Sequence, residues 1–213
     1  MSLRIARYRW TALVGLLTVL ALGGPAISEP EGARLISQAK QDELLKDSGV
    51  QAAGAVDANV TIVEYFDYNC PFCRKLAPDL KSLIAEDHKV AILYKDWPVF
   101  GGVSVYAAKE ALAASWQGKY LLAHDALISG PRLTTPDQVD AELKAAGIDV
   151  RRLAEDRASH VGQIEALLAR NDAEAHTLSI RGTPGIVIGR QVLPGSADLN
   201  GLRAAVKAAR SAR

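Results

Sequence analysis

The chain has two cysteines, and they lie together in Cys70-Pro71-Phe72-Cys73. A cysteine acts as nucleophile or metal ligand through its thiolate, so the surroundings of the pair decide what it can do. Before it stands a β-branched and aromatic run, Val60-Thr61-Ile62-Val63-Glu64-Tyr65-Phe66, and after it a helical pattern that starts at about Cys73. A helix start offers unpaired N–H groups and partial positive charge, both of which favour a thiolate. A thiolate attacks disulfides, and a second thiol at this spacing can resolve the mixed disulfide within the molecule. Two other uses of the pair stay open at this point: a static disulfide, or half of a metal site. A loop this short removes little entropy from the unfolded chain, so a static disulfide here stabilises little. A zinc site needs about four ligands, and the sequence has no second Cys pair or His pair at ligand spacing.

The run before the cysteines has the composition of a buried central strand, which Glu64 interrupts. A carboxylate in a buried strand is costly unless it is paired or functional; the competing reading puts Glu64 on a solvated edge. After the pair, Leu76, Leu80, Leu83 and Ile84 recur at helical spacing up to Glu86. Pro78 inside this pattern lacks a backbone donor and is expected to kink the helix. Val90 to Tyr94 is a second strand, and Trp97 and Pro98 after it either line the cleft or pack in the core. From about Ser104 to Leu178 the pattern is helical, with Thr135-Pro136 as a helix start and Gly147 as a stop. Gly185 to Ile188, a Gly189-Arg190 turn and Gln191 to Leu193 form a hairpin. Leu199, Leu202 and Val206 then define a last helix.

The N-terminus has the layout of an export signal over residues 1–28. Arg4, Arg7 and Arg9 precede an apolar stretch of 13 residues, Trp10 to Leu22, and Ala26-Ile27-Ser28 is a small-x-small cleavage site. Export puts the cysteines in an oxidising compartment. Without those three arginines the basic count falls from 25 to 22 against 24 acids, a net of −2. A nearly neutral chain carries no nucleic-acid signal. Within residues 29–56, Ala33 to Lys46 is expected to form a helix with a narrow apolar stripe of Leu35, Ile36, Ala39, Leu44 and Leu45. Gly49 to Asn59 is expected to be a linker.

Taken together, these features resemble the DsbA-like thioredoxin-fold oxidoreductases of the bacterial periplasm. The resemblance rests on the export signal, Glu64-Tyr65-Phe66-Asp67-Tyr68-Asn69 leading into Cys70-Pro71-Phe72-Cys73, Pro78, the helical insertion, and Gly182-Thr183-Pro184-Gly185 before the hairpin. It covers roughly residues 57–210 and is closest to a subgroup with copper-tolerance-linked and isomerase-like members. It implies an α/β thioredoxin fold, with halves at 57–103 and 179–213 and an inserted helical subdomain at 104–178. It also implies that Cys70 is the exposed nucleophile, Cys73 the buried resolving thiol, and Pro184 a cis-proline preceded by Thr183. Thr183, Pro184, Pro71 and Phe72 would bind an extended substrate peptide, and Glu64 would exchange protons with Cys73. One departure is Phe72: strongly oxidising members often carry a His there, which stabilises the thiolate, so a less oxidising potential is expected.

The expected function is thiol–disulfide exchange with exported proteins, as an oxidase. The expected partners are those proteins and a membrane redox partner, with no cofactor, no metal and no nucleic acid. An oligomeric isomerase or reductase, and a Cu(I)-binding protein using the same thiolates, are the alternatives. A monomer or weak oligomer is expected, because a seam of about four apolar residues at roughly 25 cal/mol per Å² hardly offsets an association cost of at least about 4 kcal/mol. Arg74 and Lys75 are expected to be solvated. The four histidines (His88, His124, His160, His176) are expected to be surface or locally bonded residues.

Overall fold

The computed structural model describes residues 34–47, 49–193 and 195–212; the expected export signal lies outside them. In chain order the first elements are β1 (Arg34–Leu35), α1 (Gln38–Leu45), β2 (Gln51–Gly54), β3 (Val60–Phe66), α2 (Pro71–Glu86) and β4 (Val90–Asp96). A helical block follows: α3 (Gly102–Ala113), a short 3-10 turn, α4 (Tyr120–Ser129), α5 (Pro136–Ala145), α6 (Val150–Ser159) and α7 (Val161–Thr177). The chain ends in β5 (Gly185–Ile188), β6 (Gln191–Leu193) and α8 (Leu199–Ser211).

The strands form one mixed sheet in the order β1-β6-β5-β3-β4-β2. Central β3 runs parallel to β4 and antiparallel to β5, so its backbone is paired on both sides. Strand side chains alternate between faces, and the burial of β3 follows this. Ile62 and Phe66 enter a core with Cys73, Leu76 and Leu80 of α2, Tyr120 of α4 and Leu202 of α8. Val63 and Tyr65 enter the far-side core with Leu44 of α1, Ala175 of α7 and Val187 of β5. On α2, Leu76, Leu80 and Leu83 are all buried, each contributing about 1.5–3 kcal/mol.

Several boundaries differ from the sequence reading. Helix α2 starts at Pro71, with Cys70 as its N-cap residue, because proline suits the first helical position. Its end at Glu86 is the expected one, with Pro78 exposed inside the helix. Strand β4 extends to Asp96 because Tyr65 and Phe66 of β3 supply pairing partners for Lys95 and Asp96. The expected linker contains β2, which pairs with β4 from Gln51–Tyr94 to Gly54–Ala91. The expected helix over residues 33–46 is shorter: Arg34 and Leu35 pair with β6 as β1. Ser37 then caps α1 by accepting the Lys40 N–H at 3.2 Å. Leu35 and Leu45 are exposed; Ile36 and Leu44 are the buried pair.

The segment from Arg34 to Gly54 therefore crosses the far face and supplies both edge strands. An ion cluster fastens it there. Lys95 of β4, fully buried, pairs with Asp47 and with Glu174 of α7, the latter at 2.7 Å. Arg170 holds the other Asp47 oxygen at 2.6 Å, and Tyr65 donates to Glu174 at 3.1 Å. Each buried charge thus has an opposite charge, the condition under which burial is tolerated.

Candidate active site

The lead-in to the cysteines is fixed by short-range hydrogen bonds. Asp67 accepts from the Asn69 N–H at 2.7 Å, the Ser104 hydroxyl at 2.8 Å and the Phe100 N–H at 3.0 Å. The Asn69 side chain in turn bridges to Leu133, donating to its carbonyl at 3.1 Å and accepting from its N–H at 3.0 Å. These bonds tie the loop to the helical block. Arg74 does the same from the first turn of α2, and it is not the solvated residue expected. Its guanidinium donates to the carbonyls of Tyr68 at 2.7 Å and Leu127 at 2.9 Å, and also to Gly130. Leu127 and Gly130 lie at the C-terminal end of α4, where carbonyls lack helical partners and a cation is favoured. Lys75 is exposed as expected.

The two sulfurs have unlike surroundings. Cys70 caps α2 and donates its thiol to the Thr183 carbonyl at 3.1 Å. The Cys73 thiol beside it holds the Cys70 pKa down to about 6, helped by Thr183 and by the backbone N–H groups of Cys73 and Phe72, against a burial effect that raises it. Hydrogen bonds that favour the charged form lower an acid's pKa in this way. Phe72 thus contributes through its backbone, while its ring is 61 % exposed. Cys70 was expected to be exposed, yet it is 2 % exposed, covered at the junction of α2 and the Thr183 loop. Cys73 is fully buried, and burial pushes its thiol far up, with Cys70 and the Glu64 charge adding to the rise.

Glu64 does not face a solvated edge. It points to the α2 side of the sheet, 3 % exposed, with no hydrogen-bond or ion-pair partner among the described residues. Burial raises its carboxyl to about 8, with the charges of Cys70 and Asp96 contributing. The Thr183-Pro184 peptide bond is cis, and Pro184 is buried while Thr183 is half-buried. The Thr183 backbone N–H has no partner among the described residues. Gly185 follows because the Ile180 side chain, from the segment between α7 and β5, packs against its backbone: a Cβ there would lie 2.4 Å from Ile180 Cγ2. The structure thus brings Glu64, Cys70, Cys73, Thr183 and Pro184 together, with Pro71 and Phe72 exposed at the rim.

Two groups near the site escaped the sequence reading. Asp96, taken to lie beyond the second strand, is its buried last residue and accepts the Tyr120 hydroxyl at 2.7 Å. His124, expected to be a surface or locally bonded residue, is buried among Phe66, Tyr94 and Tyr120, with ring centroids 4.8, 4.2 and 6.0 Å away. Burial lowers it to about 3, so it stays neutral. Of the two readings of Trp97 the structure bears out the core one: it is buried and donates its indole N–H to Asp172 at 2.8 Å.

A thioredoxin-like sheet with a helical block and a Cys-x-x-Cys pair at a helix start defines a class of protein, and the comparisons agree with it. The DSBA-like thioredoxin domain family matches residues 61–207, and the chain belongs to that family. A thioredoxin-like oxidoreductase from Silicibacter pomeroyi is similar at 34 % identity and TM-score 0.77, over 81 % of this chain and 98 % of that one. The catalytic domain of Proteus mirabilis ScsC is similar at 27 % identity and TM-score 0.71, over 81 % and 96 %. A probable disulfide bond formation protein D from Bacillus anthracis is 26 % identical over 70 % of this chain and 74 % of its own length. A Na(+)/H(+) antiporter NhaA 1 from Salinispora arenicola is 28 % identical over 73 % of this chain, and the match spans 24 % of the antiporter's length.

Proposed function

We propose that the protein is a thiol–disulfide oxidoreductase that oxidises the thiols of exported proteins through Cys70 and Cys73. The observation that carries this reading is the asymmetry of the pair. Cys70 sits at a helix start with its thiol lowered to about 6, and Cys73 is buried beside Glu64 and raised. In the oxidised protein a substrate thiolate attacks Cys70 Sγ. The Cys70–Cys73 bond breaks, and its electron pair leaves on Cys73, which takes a proton from Glu64. A second substrate thiol then attacks the mixed disulfide, and Cys70 departs as a stabilised thiolate. Reoxidation by a membrane redox partner runs the same steps backward, with Cys73 as the resolving thiol and Glu64 as its base.

The unpartnered Thr183 N–H supports pairing with an extended substrate backbone beside the reactive sulfur. Pro184, Pro71 and the exposed Phe72 ring supply apolar contact around it. Residues 34–54 pack on their own domain, which supports a monomer or weak oligomer over an assembly joined by N-terminal helices. An N-terminal export signal and a periplasmic location belong to the same reading.

The test is thiol exchange with a model dithiol peptide, with the potential of the pair set against glutathione. Cys70→Ser should abolish exchange, and Cys73→Ser should accumulate mixed disulfides through Cys70. If alkylation near neutral pH labelled Cys73 ahead of Cys70, the assignment of roles would fall. Tight anaerobic Cu(I) binding without exchange would favour the copper-handling alternative instead.

A further inference from the structure

A second carboxyl shares the sheet face of Glu64. In the parallel β3–β4 register, Glu64 lies opposite Tyr94 and Phe66 opposite Asp96. Alternation puts Tyr94 and Asp96 on the α2 side, while Lys95 between them serves the ion cluster on the far face. Asp96 is 1 % exposed, so it has the burial of a core residue. One oxygen accepts the Tyr120 hydroxyl at 2.7 Å, and the other is buried without a hydrogen bond. The Tyr68 hydroxyl, 3.4 Å from His124 Nδ1, also favours the Asp96 carboxylate, and the Tyr68 carbonyl is clamped by Arg74. No lysine or arginine pairs with Glu64 or with Asp96 among the described residues. Burying two carboxyls on one face without a cation is expensive. An apolar residue at position 96 would cost less, so what the second carboxyl does needs an account.

The groups around the two are these. Cys70 and Cys73 face Glu64 from α2, and Tyr94 and Asp96 face it from β4. Asp96 meets Asp67 and Tyr68 from the lead-in loop, Tyr120 and the neutral His124 layer from α4, and Glu64 from β3. Burial raises the Asp96 carboxyl to about 7, with the Tyr120 and Tyr68 phenols opposing the rise; Glu64, raised to about 8, has no such donor, so Asp96 is the first of the two to ionise. The arrangement therefore favours charge on Asp96 and a proton on Glu64.

Resting on the function proposed above, we propose that Asp96 is a positioning residue for the resolving step. Held by Tyr120 and Tyr68, its carboxylate charge strengthens Glu64 as the base that takes the Cys73 proton. In that step Cys70 is in a mixed disulfide with a substrate or redox partner. The Cys73 S–H proton passes to the Glu64 carboxylate, and the Cys73 thiolate attacks Cys70 Sγ. The bond from Cys70 to the partner sulfur breaks, and its electron pair leaves on that sulfur, which takes a proton from water. A like charge nearby raises a carboxyl's proton affinity, so removing it should make Glu64 a weaker base.

The test is a carboxyl ¹³C NMR titration of the reduced, signal-free chain, with the Glu64 resonance assigned by its loss in Glu64→Gln. Asp96→Asn keeps the acceptor for Tyr120 and removes the charge. The Glu64 midpoint should fall by about one pH unit, and the pH profile of Cys73 resolution should move with it. Should Asp96→Asn fail to fold, Tyr120→Phe weakens the Asp96 charge and should move the midpoint the same way. A Glu64 midpoint that stays put in a folded variant overturns the proposal. The titration needs no exchange partner, so the two readings fail separately. An unmoved midpoint in a chain that exchanges disulfides sinks the Asp96 role alone. A shifted midpoint in a chain that exchanges nothing upholds the Glu64–Asp96 coupling and sinks the oxidoreductase reading.

Discussion

The backbone carbonyl of Thr183 lies 3.1 Å from Cys70 Sγ, joining the start of α2 to a loop 113 residues further along the chain. The Thr183 hydroxyl is buried without a hydrogen-bond partner while Cys70 is a thiol, so it is free to donate to the Cys70 thiolate, the interaction by which it helps to lower the thiol. Backbone and side chain of one residue therefore bear on the sulfur in opposite protonation states: the carbonyl accepts from the thiol, and the hydroxyl favours the thiolate.

Thr183→Val removes the hydroxyl and keeps the carbonyl. The Cys70 pKa should rise from about 6, and alkylation of the reduced protein at pH 6–7 should slow. The sign follows from linkage. A thiol lowered in the folded state stabilises the reduced protein above the unfolded thiol's pKa, and that stability is lost as pH falls through about 6. The variant should keep less of this stabilisation, so its pair should be a weaker oxidant against glutathione. An unchanged alkylation profile would remove Thr183 from this role.

Glu64→Gln should slow turnover by about 10²–10⁴-fold, the usual worth of a positioned proton transfer, with the fold intact. It should also change how stability depends on pH. Glu64 is raised from 4.5 to about 8, so the proton it holds favours the folded state. That contribution is complete below the unfolded value and is lost as pH rises through about 8. At about 1.4 kcal/mol per pH unit, the native chain should lose a few kcal/mol across this window, and the variant less. Urea unfolding at pH 5 and pH 9 checks it; parallel losses in both proteins would contradict the assignment.

Lys95→Met should destabilise by about 3–5 kcal/mol, because it leaves Glu174 as an uncompensated buried charge and Asp47 with Arg170 alone. Denaturant unfolding measures this. Restoring stability by adding Asp47→Asn and Glu174→Gln would identify the lost pairing, rather than lost packing, as the cause.

Light scattering of the signal-free chain at micromolar concentration should give a monomer. Of the apolar residues that were candidates for a seam, Ile36 and Leu44 are used within the domain, which leaves Leu35 and Leu45 as the exposed leucines of the stripe. A stable dimer or trimer that turned monomeric on removing residues 29–50 would overturn this and favour the isomerase.

What could be seen in the sequence was what depends on neighbours along the chain. The cysteine pair, the strand before it and the helix after it are local, and so was the misfit of Glu64 in a strand. Thr183 and Pro184 entered through family resemblance, since no spacing rule connects them to a cysteine so far away. Asp96, Lys95 and His124 were missed because their meaning depends on distant partners: Tyr120 for the first, Asp47 and Glu174 for the second, and Phe66 and Tyr94 for the third. Strand β2 was missed for a related reason. Gln51-Ala52-Ala53-Gly54 has little intrinsic strand character, and pairing with β4 supplies it.

Arg34 pairs with Val192 and Gln51 with Tyr94, so the earliest described residues need strands made later as their templates. These are contacts between residues far apart in sequence, and such contacts form slowly. During synthesis β2 has no partner strand until β4 has emerged, and β1 has none until β6 has. Strand β1 is accordingly among the last parts of the sheet to settle, and until then that rim of the half-built sheet stays available to other chains.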